Sequence, residues 1–533
     1  MSSESFAPQG ARNQTDVFAI HGADPEVLAY AMAKYSRSSL SMRESLTELN
    51  AQRAEQFLNT FYFQYGHRSI ADLAHVAFAV ERLSLLAAIV LVDEQRWDGQ
   101  ERSTRYQNFL KSGWYFPDFG QDTGAATLYS ETITGLFAAY QRTTAAVLEA
   151  LRRRVARPES LKPEAYERTL KARAFDVARY LLPLATNTSL GQLVSARTLE
   201  TQVSRLLSHP AAEVRDLGAK LREAAAGAAW NVNAQAATAF VQKLAALDGE
   251  AAATLATEAQ QLFVREVRTA PTLVKYAQPN SYAPQTQAEL AQAAAELLAG
   301  APIAAAPLVD LVERTESLEV ELAATLLYSA SHHPYRQIRD LVASLPQARV
   351  NEIVELGLRH RGRHDEALRA FHAGATLRFD ILMDIGGFRD MHRHRRCTQI
   401  IQGFTTAHGY ETPASGDMEA GVDILAEAGA AGDYRAALDN AHAASARIAA
   451  SQAPEAAQSA LYVLPLATRI RSLFKMDFAE AQYITELRSA PAGHFSYRRV
   501  AWEMFLAVQR QHPALARHIR VTDFTQPIDI LQR

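Results

Sequence analysis

Apolar residues recur every three to four positions over several alanine-rich segments of the chain. This spacing is typical of helices that bury one face, and it predicts helices over residues 127–155, 163–182 and 433–449. Apolar and polar positions alternate over residues 75–80 and 376–381, which predicts two strands. The pattern therefore indicates a helix-rich protein with a small strand content.

The same landmarks return in the same order along the chain, which favours a tandem duplication. The sequence Leu-Pro-Leu-Ala-Thr at 182–186 returns at 464–468, a shift of 282 positions. Three further pairs are each 296 positions apart: Arg43 and Arg339, Gly66 and Gly362, and Pro117 and Pro413. Chance similarity in an alanine-rich chain is the alternative. We predict a first half over residues 1–281, a connector over 282–307 that has room for a short helix, and a second half over 308–533.

Composition narrows the class of protein. A chain of 533 residues with 48% hydrophobic content can bury the cores of two or more domains. The absence of a long apolar run and of a signal-peptide pattern predicts a cytoplasmic protein that does not enter a membrane. The single cysteine, Cys397, excludes an intrachain disulfide and a multi-cysteine metal site, and no metal is expected. A net charge of −3 argues against nucleic-acid binding and favours a small anionic ligand held by a local arginine cluster.

Residues 389–396 form such a cluster, because four of the eight are arginines: Arg389, Arg393, Arg395 and Arg396. Guanidinium groups bind phosphate oxygens through paired hydrogen bonds, so the cluster suits a nucleotide. A basic surface paired with Asp384 and Asp390 is the alternative.

A second polar segment, residues 100–106, lies in the first half and contains Glu101, Ser103 and Arg105. In an extended loop, side chains two residues apart project to the same side, so Ser103 and Arg105 are placed to bind one phosphate together. An ordinary turn or helix start explains the same residues equally well.

Together the two segments resemble the signature of flavin-dependent thymidylate synthases, which runs Arg-His-Arg-x-x-Ser-x-Asn-Glu-x-Ser-x-Arg-Tyr. The second half keeps the start of the signature as Arg393-His394-Arg395, but Ile401, Gly403 and Thr405 replace Glu, Ser and Arg. The first half keeps the end as Glu101, Ser103, Arg105 and Tyr106, but Asp93-Glu94-Gln95 replaces Arg-His-Arg. The two losses are complementary.

Weaker matches lie elsewhere in the first half. His67 and Ser69 belong to a segment similar to the family's flavin-binding Gly-His-x-Ser, and Arg197 falls in its Asn-Ala-Arg motif. Arg205 and His209 match a later Arg and a Ser-His pair. Taken alone, His67 and His209 are more readily explained as structural histidines.

The resemblance implies an α+β fold present in two fused copies, each helix-rich with a small central sheet. It also implies transfer of a methylene group from methylenetetrahydrofolate to dUMP, with FAD as cofactor and NADPH as reductant. The family builds its sites between the subunits of a tetramer, which implies that two fused chains form a homodimeric pseudo-tetramer. The residues implied to bind the pyrimidine nucleotide are Glu101, Ser103, Arg105, Arg205 and Arg393. Those implied to bind FAD are His67, Ser69, Arg197, His209, Arg393, His394 and Arg395.

Two departures keep alternatives open. Asp390 stands where the family often has Gln near the base, and Ser195 stands where it has Asn near the flavin. A non-catalytic paralogue that binds flavin or nucleotide, and a related flavin-dependent transferase with another acceptor, therefore remain alternatives to dTMP synthesis. Cys397 is expected to serve packing, since the family's reaction needs no enzyme cysteine.

Overall fold

The computed structural model describes residues 22–34, 70–264, 266–275, 277–313, 315–362, 365, 367–413 and 423–531. His67 and Ser69 lie outside these ranges. Across the described ranges, none of the helices combines the length and the apolarity that a membrane span requires. The strands are β1 (His75–Ser84), β2 (Asp98–Glu101), β3 (Asn187–Ser195), β4 (Val309–Leu311), β5 (Leu377–Asp384), β6 (Thr398–Ile401) and β7 (Arg469–Met476).

Helices surround these strands in both halves, as the three-to-four spacing predicts. In the first half they are α1 (Pro25–Lys34), α2 (Leu85–Leu91), α3 (Thr123–Arg154), α4 (Pro163–Ala178), α5 (Ala196–Leu207), α6 (Ala212–Ala226), α7 (Ala234–Ala245) and α8 (Glu250–Phe263). The next ones are α9 (Tyr282–Leu297), α10 (Leu318–Ser329), α11 (Tyr335–Ser344), α12 (Gln347–Leu356) and α13 (Ile385–Met391). The last are α14 (Ile424–Glu427), α15 (Ala431–Ala449), α16 (Ala456–Ser459), α17 (Phe478–Ser489), α18 (Phe495–Gln511) and α19 (Pro513–Ala516). Short 3₁₀ helices cover Arg179–Leu181, Arg369–Phe371 and Ala460–Val463.

The strands form two small sheets, one with the order β1-β3-β2 and one with the order β4-β5-β7-β6. Strands β2 and β3 pair antiparallel, and so do β4 with β5, β5 with β7 and β6 with β7. The predicted strands at 75–80 and 376–381 correspond to β1 and β5, and the three predicted helices to α3, α4 and α15. The prediction of a helix-rich α+β fold is thereby confirmed. The alternation rule missed β3 and β7, the strands that pair with β1 and β5.

Matching main-chain hydrogen bonds relate the two halves. At the start of α2, the amide of Leu85 donates to the carbonyl of Thr186 at 2.9 Å. At the start of α13, the amide of Ile385 donates to the carbonyl of Thr468, also at 2.9 Å. Each half thus joins the first turn of this short helix to the chain before its β3 or β7 strand in the same way, which supports the duplication.

The halves also meet through a pseudo-twofold pair of main-chain contacts around Pro183 and Pro465, which form an isolated antiparallel bridge. The amide of Leu184 donates to the carbonyl of Leu464, and the amide of Leu466 donates to the carbonyl of Leu182, both at 2.9 Å. The repeated Leu-Pro-Leu-Ala-Thr segments therefore lie against each other, and the hydrophobic core around them contains residues of both halves.

The stretch predicted as a connector, residues 282–307, begins with a regular helix. Helix α9 takes 16 residues of it and buries Tyr282 and Leu290. The Tyr282 hydroxyl donates to the carbonyl of Gly357 at 2.6 Å, and Leu290 belongs to a core cluster that also contains Tyr328. Only the second part of this stretch, before β4, lacks regular structure. The predicted boundaries of the two halves stay a prediction.

The chain divides into two compact units. One contains the described residues up to Val76, together with Ser195–Arg197 and Ala224–Lys275, and the other contains the rest. In the first unit, the buried carboxylate of Glu26 on α1 accepts hydrogen bonds from the amides of Thr272 and Leu273 at 2.9 and 2.8 Å. The second unit contains both retained signature segments.

Candidate functional site

The two retained signature segments meet within one chain. Strand β2 pairs with β3 up to Glu101, so the next residues leave the edge of the sheet. Helix α13 is capped by the carboxylate of Asp384 and ends at Met391, shortly before the arginine run. Arg393 Nη2 donates to Gln100 Oε1 at 3.1 Å, and Arg389 forms an ion pair with Glu101. We call the place where residues 100–105 meet residues 389–393 the signature junction.

Arg105 lies buried in the signature junction, where protein groups occupy its guanidinium. It makes a two-point contact with Asp176, with Nε–Oδ1 at 2.7 Å and Nη2–Oδ2 at 3.2 Å. It also donates to the Tyr497 hydroxyl at 2.8 Å and to the carbonyl of Ala492 at 3.0 Å. Burial opposes the charged form, but Asp176 outweighs it and raises the pKa of Arg105 above its ordinary value. Ser103 accepts from the amide of Arg105 at 3.2 Å, which closes the local turn.

A chain of contacts continues from Tyr497 to His394. The Arg488 guanidinium lies 5.4 Å from the centre of the Tyr497 ring, and its Nε donates to Nε2 of His394 at 2.7 Å. Nδ1 of His394 lies 3.7 Å from Glu480. Burial lowers the pKa of His394 despite Glu480, so the ring is neutral and Nε2 is its acceptor. His394 is thereby held within the protein rather than presented to solvent.

Arg393 is the exposed arginine of the signature junction. Arg389 Nε and the Nε and Nη2 of Arg179 are buried donors without a hydrogen-bond partner among the described residues. Arg179 forms an ion pair with Asp390 at 3.3 Å. Unpaired buried donors and an exposed guanidinium are both suited to an anionic ligand. Asp390, expected near the base, lies beside them.

Two arginines that the resemblance assigns to ligand binding make contacts with other protein groups, and their role toward a ligand stays a prediction. Arg205 donates from Nη2 and Nε to Glu94 Oε1, at 2.7 and 3.0 Å. Arg395 donates to the carbonyls of Val92 and Glu94 at 2.6 and 2.7 Å, and its guanidinium lies 4.9 Å from the centre of the Trp97 ring. Burial lowers the pKa of Arg395 to about 10. Both arginines stabilise the segment that replaces Arg-His-Arg in the first half.

Three other candidates have separate environments. Arg197 belongs to the first unit, where it forms an ion pair with Asp72 at 3.1 Å. His209 Nδ1 accepts from the amide of Ala211 at 3.1 Å, and burial lowers its pKa to about 4. Cys397 is buried, its thiol donates to the carbonyl of His394 at 3.2 Å, and burial raises its pKa to about 12.

Sequence reasoning did not find the residues that hold Arg105. Asp176 and Tyr497 lie 71 and 392 positions from it, on α4 and α18. Each is one polar residue on the inner face of a helix, and no local motif marks it. The described residues also contain no group of three or more His, Cys, Asp or Glu side chains that is placed to hold a metal.

The model of one protein family, described as "Thymidylate synthase complementing protein", matches residues 19–229 and 309–514. Several relatives carry the name UPF0159 protein. The one from Chlamydia muridarum is 27% identical over 542 residues, which cover 94% of this chain and 91% of the relative. The one from Chlamydia pneumoniae is 26% identical, over 96% and 92%. The one from Thermoplasma acidophilum is 25% identical, over 92% and 94%.

Solved structures of lower similarity include flavin-dependent thymidylate synthase from Helicobacter pylori complexed with FAD and dUMP. Its sequence is 16% identical, its TM-score is 0.25, and the match covers 38% of this chain and 89% of that one. A second structure of the same protein with FAD and dUMP gives the same identity and TM-score, over 88% of its length. These values are too low to transfer a ligand position to this chain.

Proposed function

Because the chain belongs to the thymidylate synthase complementing protein family, we propose that it transfers a one-carbon group to a pyrimidine deoxynucleotide with FAD as cofactor. Conversion of dUMP to dTMP is the reaction we favour, with methylenetetrahydrofolate as donor and NADPH as reductant. The signature junction is the proposed site. We further propose that the enzyme works in the cytoplasm as a homodimeric pseudo-tetramer.

One observation carries this proposal. Arg393 and Gln100 are 293 positions apart, yet they form a hydrogen bond at 3.1 Å. The part of the signature that survives in one half therefore lies against the part that survives in the other half. Random decay of two copies gives no reason for the retained parts to face each other.

The residues of the signature junction fit an anionic ligand. Arg393 has an exposed side chain, and Arg389 and Arg179 have buried donors without a hydrogen-bond partner among the described residues. We propose that Arg393 contacts the nucleotide or the flavin, while Glu101 fixes Arg389 in place. Bound FAD, once reduced by NADPH, would supply the two electrons that convert a transferred methylene group into a methyl group.

For the remaining candidates we propose supporting roles. Arg105 holds the shape of the signature junction through Asp176 and Tyr497, and it reaches a phosphate only by releasing Asp176. Ser103 sets the turn that aims Arg105 inward. His394 positions the same region through Arg488. Arg205 and Arg395 act on the segment at Glu94 and not on a ligand.

The test is growth of a thymidine-requiring bacterial strain that expresses the chain, together with the flavin absorbance of the purified protein. The matched pair of variants is Arg393→Ala and Arg396→Ala, because Arg396 lies in the same arginine run but is exposed and pairs with Asp477 at 3.3 Å. We expect growth without thymidine for the native chain and for Arg396→Ala, and none for Arg393→Ala. Equal growth of the two variants would exclude Arg393 from the site.

A second candidate function has an observation in its favour. Arg105, His394 and Arg395 are all engaged inside the protein, as expected of a binding module that has lost turnover. A yellow protein that binds FAD and dUMP but does not support growth would favour this non-catalytic paralogue. A flavoprotein that binds FAD but not dUMP would favour a transferase with another acceptor, consistent with the carboxylate of Asp390 beside Arg179.

A further inference from the structure

The acidic replacement for Arg-His-Arg in the first half lies against basic residues of the second half. Asp93 Oδ1 lies 2.5 Å from Arg369 Nη1, and Arg369 Nη2 also donates to the main-chain carbonyl of Asp93 at 3.1 Å. His392 Nε2 lies 3.5 Å from the same carboxylate oxygen. Burial alone would raise the pKa of Asp93, but Arg369, His392 and Arg205 lower it below its usual range, so Asp93 is charged.

The neighbouring main chain is held by the second half as well. Arg395 donates to the carbonyls of Val92 and Glu94 and packs on Trp97. The Glu94 carboxylate is neutralised from within its own half by Arg205. Residues 92–97 are therefore fixed in place by a hydrogen-bonded arginine and an ion pair, both from the other half.

The charges across this contact are complementary only between unlike halves. The first half contributes Asp93 and Glu101, and the second half contributes Arg369 and Arg389 opposite them. In the second half the position equivalent to Asp93 is Arg393, 300 positions later. An arginine opposite Arg369 would place two like charges together, and like charges across an interface are a recognised means of excluding a wrong partner.

We infer that Asp93 and its Arg369 contact determine pairing: they make the first half join a second half and disfavour the joining of like halves. The acidic segment is then a selected feature of the fused chain and not a decayed copy of Arg-His-Arg. Pairing of unlike halves is also what brings residues 100–105 to residues 389–393. This inference concerns assembly and does not rest on the proposed reaction.

The experiment is a charge exchange in the full chain, measured by the midpoint of thermal unfolding and by light scattering. Asp93→Arg should lower the midpoint by about 3–6 °C, because it removes an ion pair and places a new guanidinium against that of Arg369. Asp93→Asn, which removes the charge without reversing it, should lower it less. The exchange Asp93→Arg with Arg369→Asp should recover at least half of the loss and restore the native molar mass.

The matched control is another ion pair between the halves, formed by Arg142 and Asp433. Their charged atoms are 3.4 Å apart, and both side chains are well exposed. Asp433→Arg should shift the midpoint by less than about 1 °C, since exposed pairs contribute little. The inference is overturned if the exchange at positions 93 and 369 is no more stable than the sum of its single changes. If Asp93→Arg yields no soluble protein, a soluble exchange variant supports the inference and an insoluble one overturns it.

Discussion

Replacement of Arg105 by alanine tests whether this residue serves structure or ligand binding. Asp176, its partner, is 1% exposed, so Arg105→Ala removes the guanidinium that makes a two-point contact with a buried carboxylate. The Tyr497 hydroxyl and the carbonyl of Ala492 lose their donor in the same step. Breaking a buried pair by removing one member costs about 3–5 kcal/mol, and we expect a loss of stability in this range.

The assay is urea unfolding of four proteins: the native chain, Arg105→Ala, Asp176→Ala and the double variant. Because the double variant contains neither charge, it should be more stable than Arg105→Ala and should reveal a coupling energy of about 2 kcal/mol or more. Arg396→Ala, on an exposed arginine, should stay within about 0.5 kcal/mol of the native chain. The structural role is refuted if Arg105→Ala costs less than about 1 kcal/mol while nucleotide binding is lost.

Three further outcomes are expected. Burial lowers the pKa of His392 from 6.5 to about 4, so the unfolded chain takes up the proton first. The contribution of neutral His392 to the free energy of unfolding is therefore fully present above pH 6.5 and is lost as the pH falls towards 4, by up to about 1.4 kcal/mol per pH unit. His392→Asn should reduce this pH dependence of stability, measured by acid unfolding. Tyr462→Phe should cost about 1–2 kcal/mol in urea unfolding, because it removes a donor to Glu213 at 2.9 Å. Gly99→Ala should lower the thermal midpoint, since a Cβ there would collide with the backbone oxygen of Gly191 on β3. Gly135→Ala on the open face of α3 should raise stability by up to about 1 kcal/mol.

The elements that sequence predicted correctly are those with a regular surface pattern. Helix α3 has one buried face and one exposed face, and β1 largely alternates buried and exposed residues, so the spacing of apolar residues predicts both elements. The repeated landmarks predicted the duplication, and the family resemblance was confirmed by the family match over both segments. These signals are local or periodic, and a single sequence contains them in full.

Strand β7 escaped prediction because it is buried on both faces. It contains Arg471 and Lys475 among apolar residues, so neither alternation nor a continuous apolar run is present. Both charges have buried partners: Arg471 pairs with Asp380 at 3.0 Å, and Lys475 with Glu321 at 3.1 Å. A charged residue can be assigned to the core only when the residue that pairs with it is known.

The site was predictable in its parts but not in its contacts. The retained residues Arg393 and Glu101 were identified from motif spacing, yet motif spacing assigned Arg205 and Arg395 to ligands. Their role toward a ligand stays a prediction, and the structure adds that both hold the segment at Glu94, because burial of that acid requires a counter-charge and its main-chain carbonyl requires a donor. The signature of a family says nothing about new acids that appear where its basic residues were lost.

The main-chain hydrogen bonds between the two halves are symmetric, whereas the charged side chains at the signature junction are not. The hydrogen bonds that join Leu184 to Leu464 and Leu466 to Leu182 involve only main-chain atoms, so they persist whatever side chains the two copies acquire. Side chains at the signature junction were therefore able to diverge without loss of the frame. Because Asp93 now occupies the position equivalent to Arg393, a second junction of the same kind would offer a phosphate a carboxylate instead of a guanidinium. Under the proposed function, each chain then contributes one complete junction.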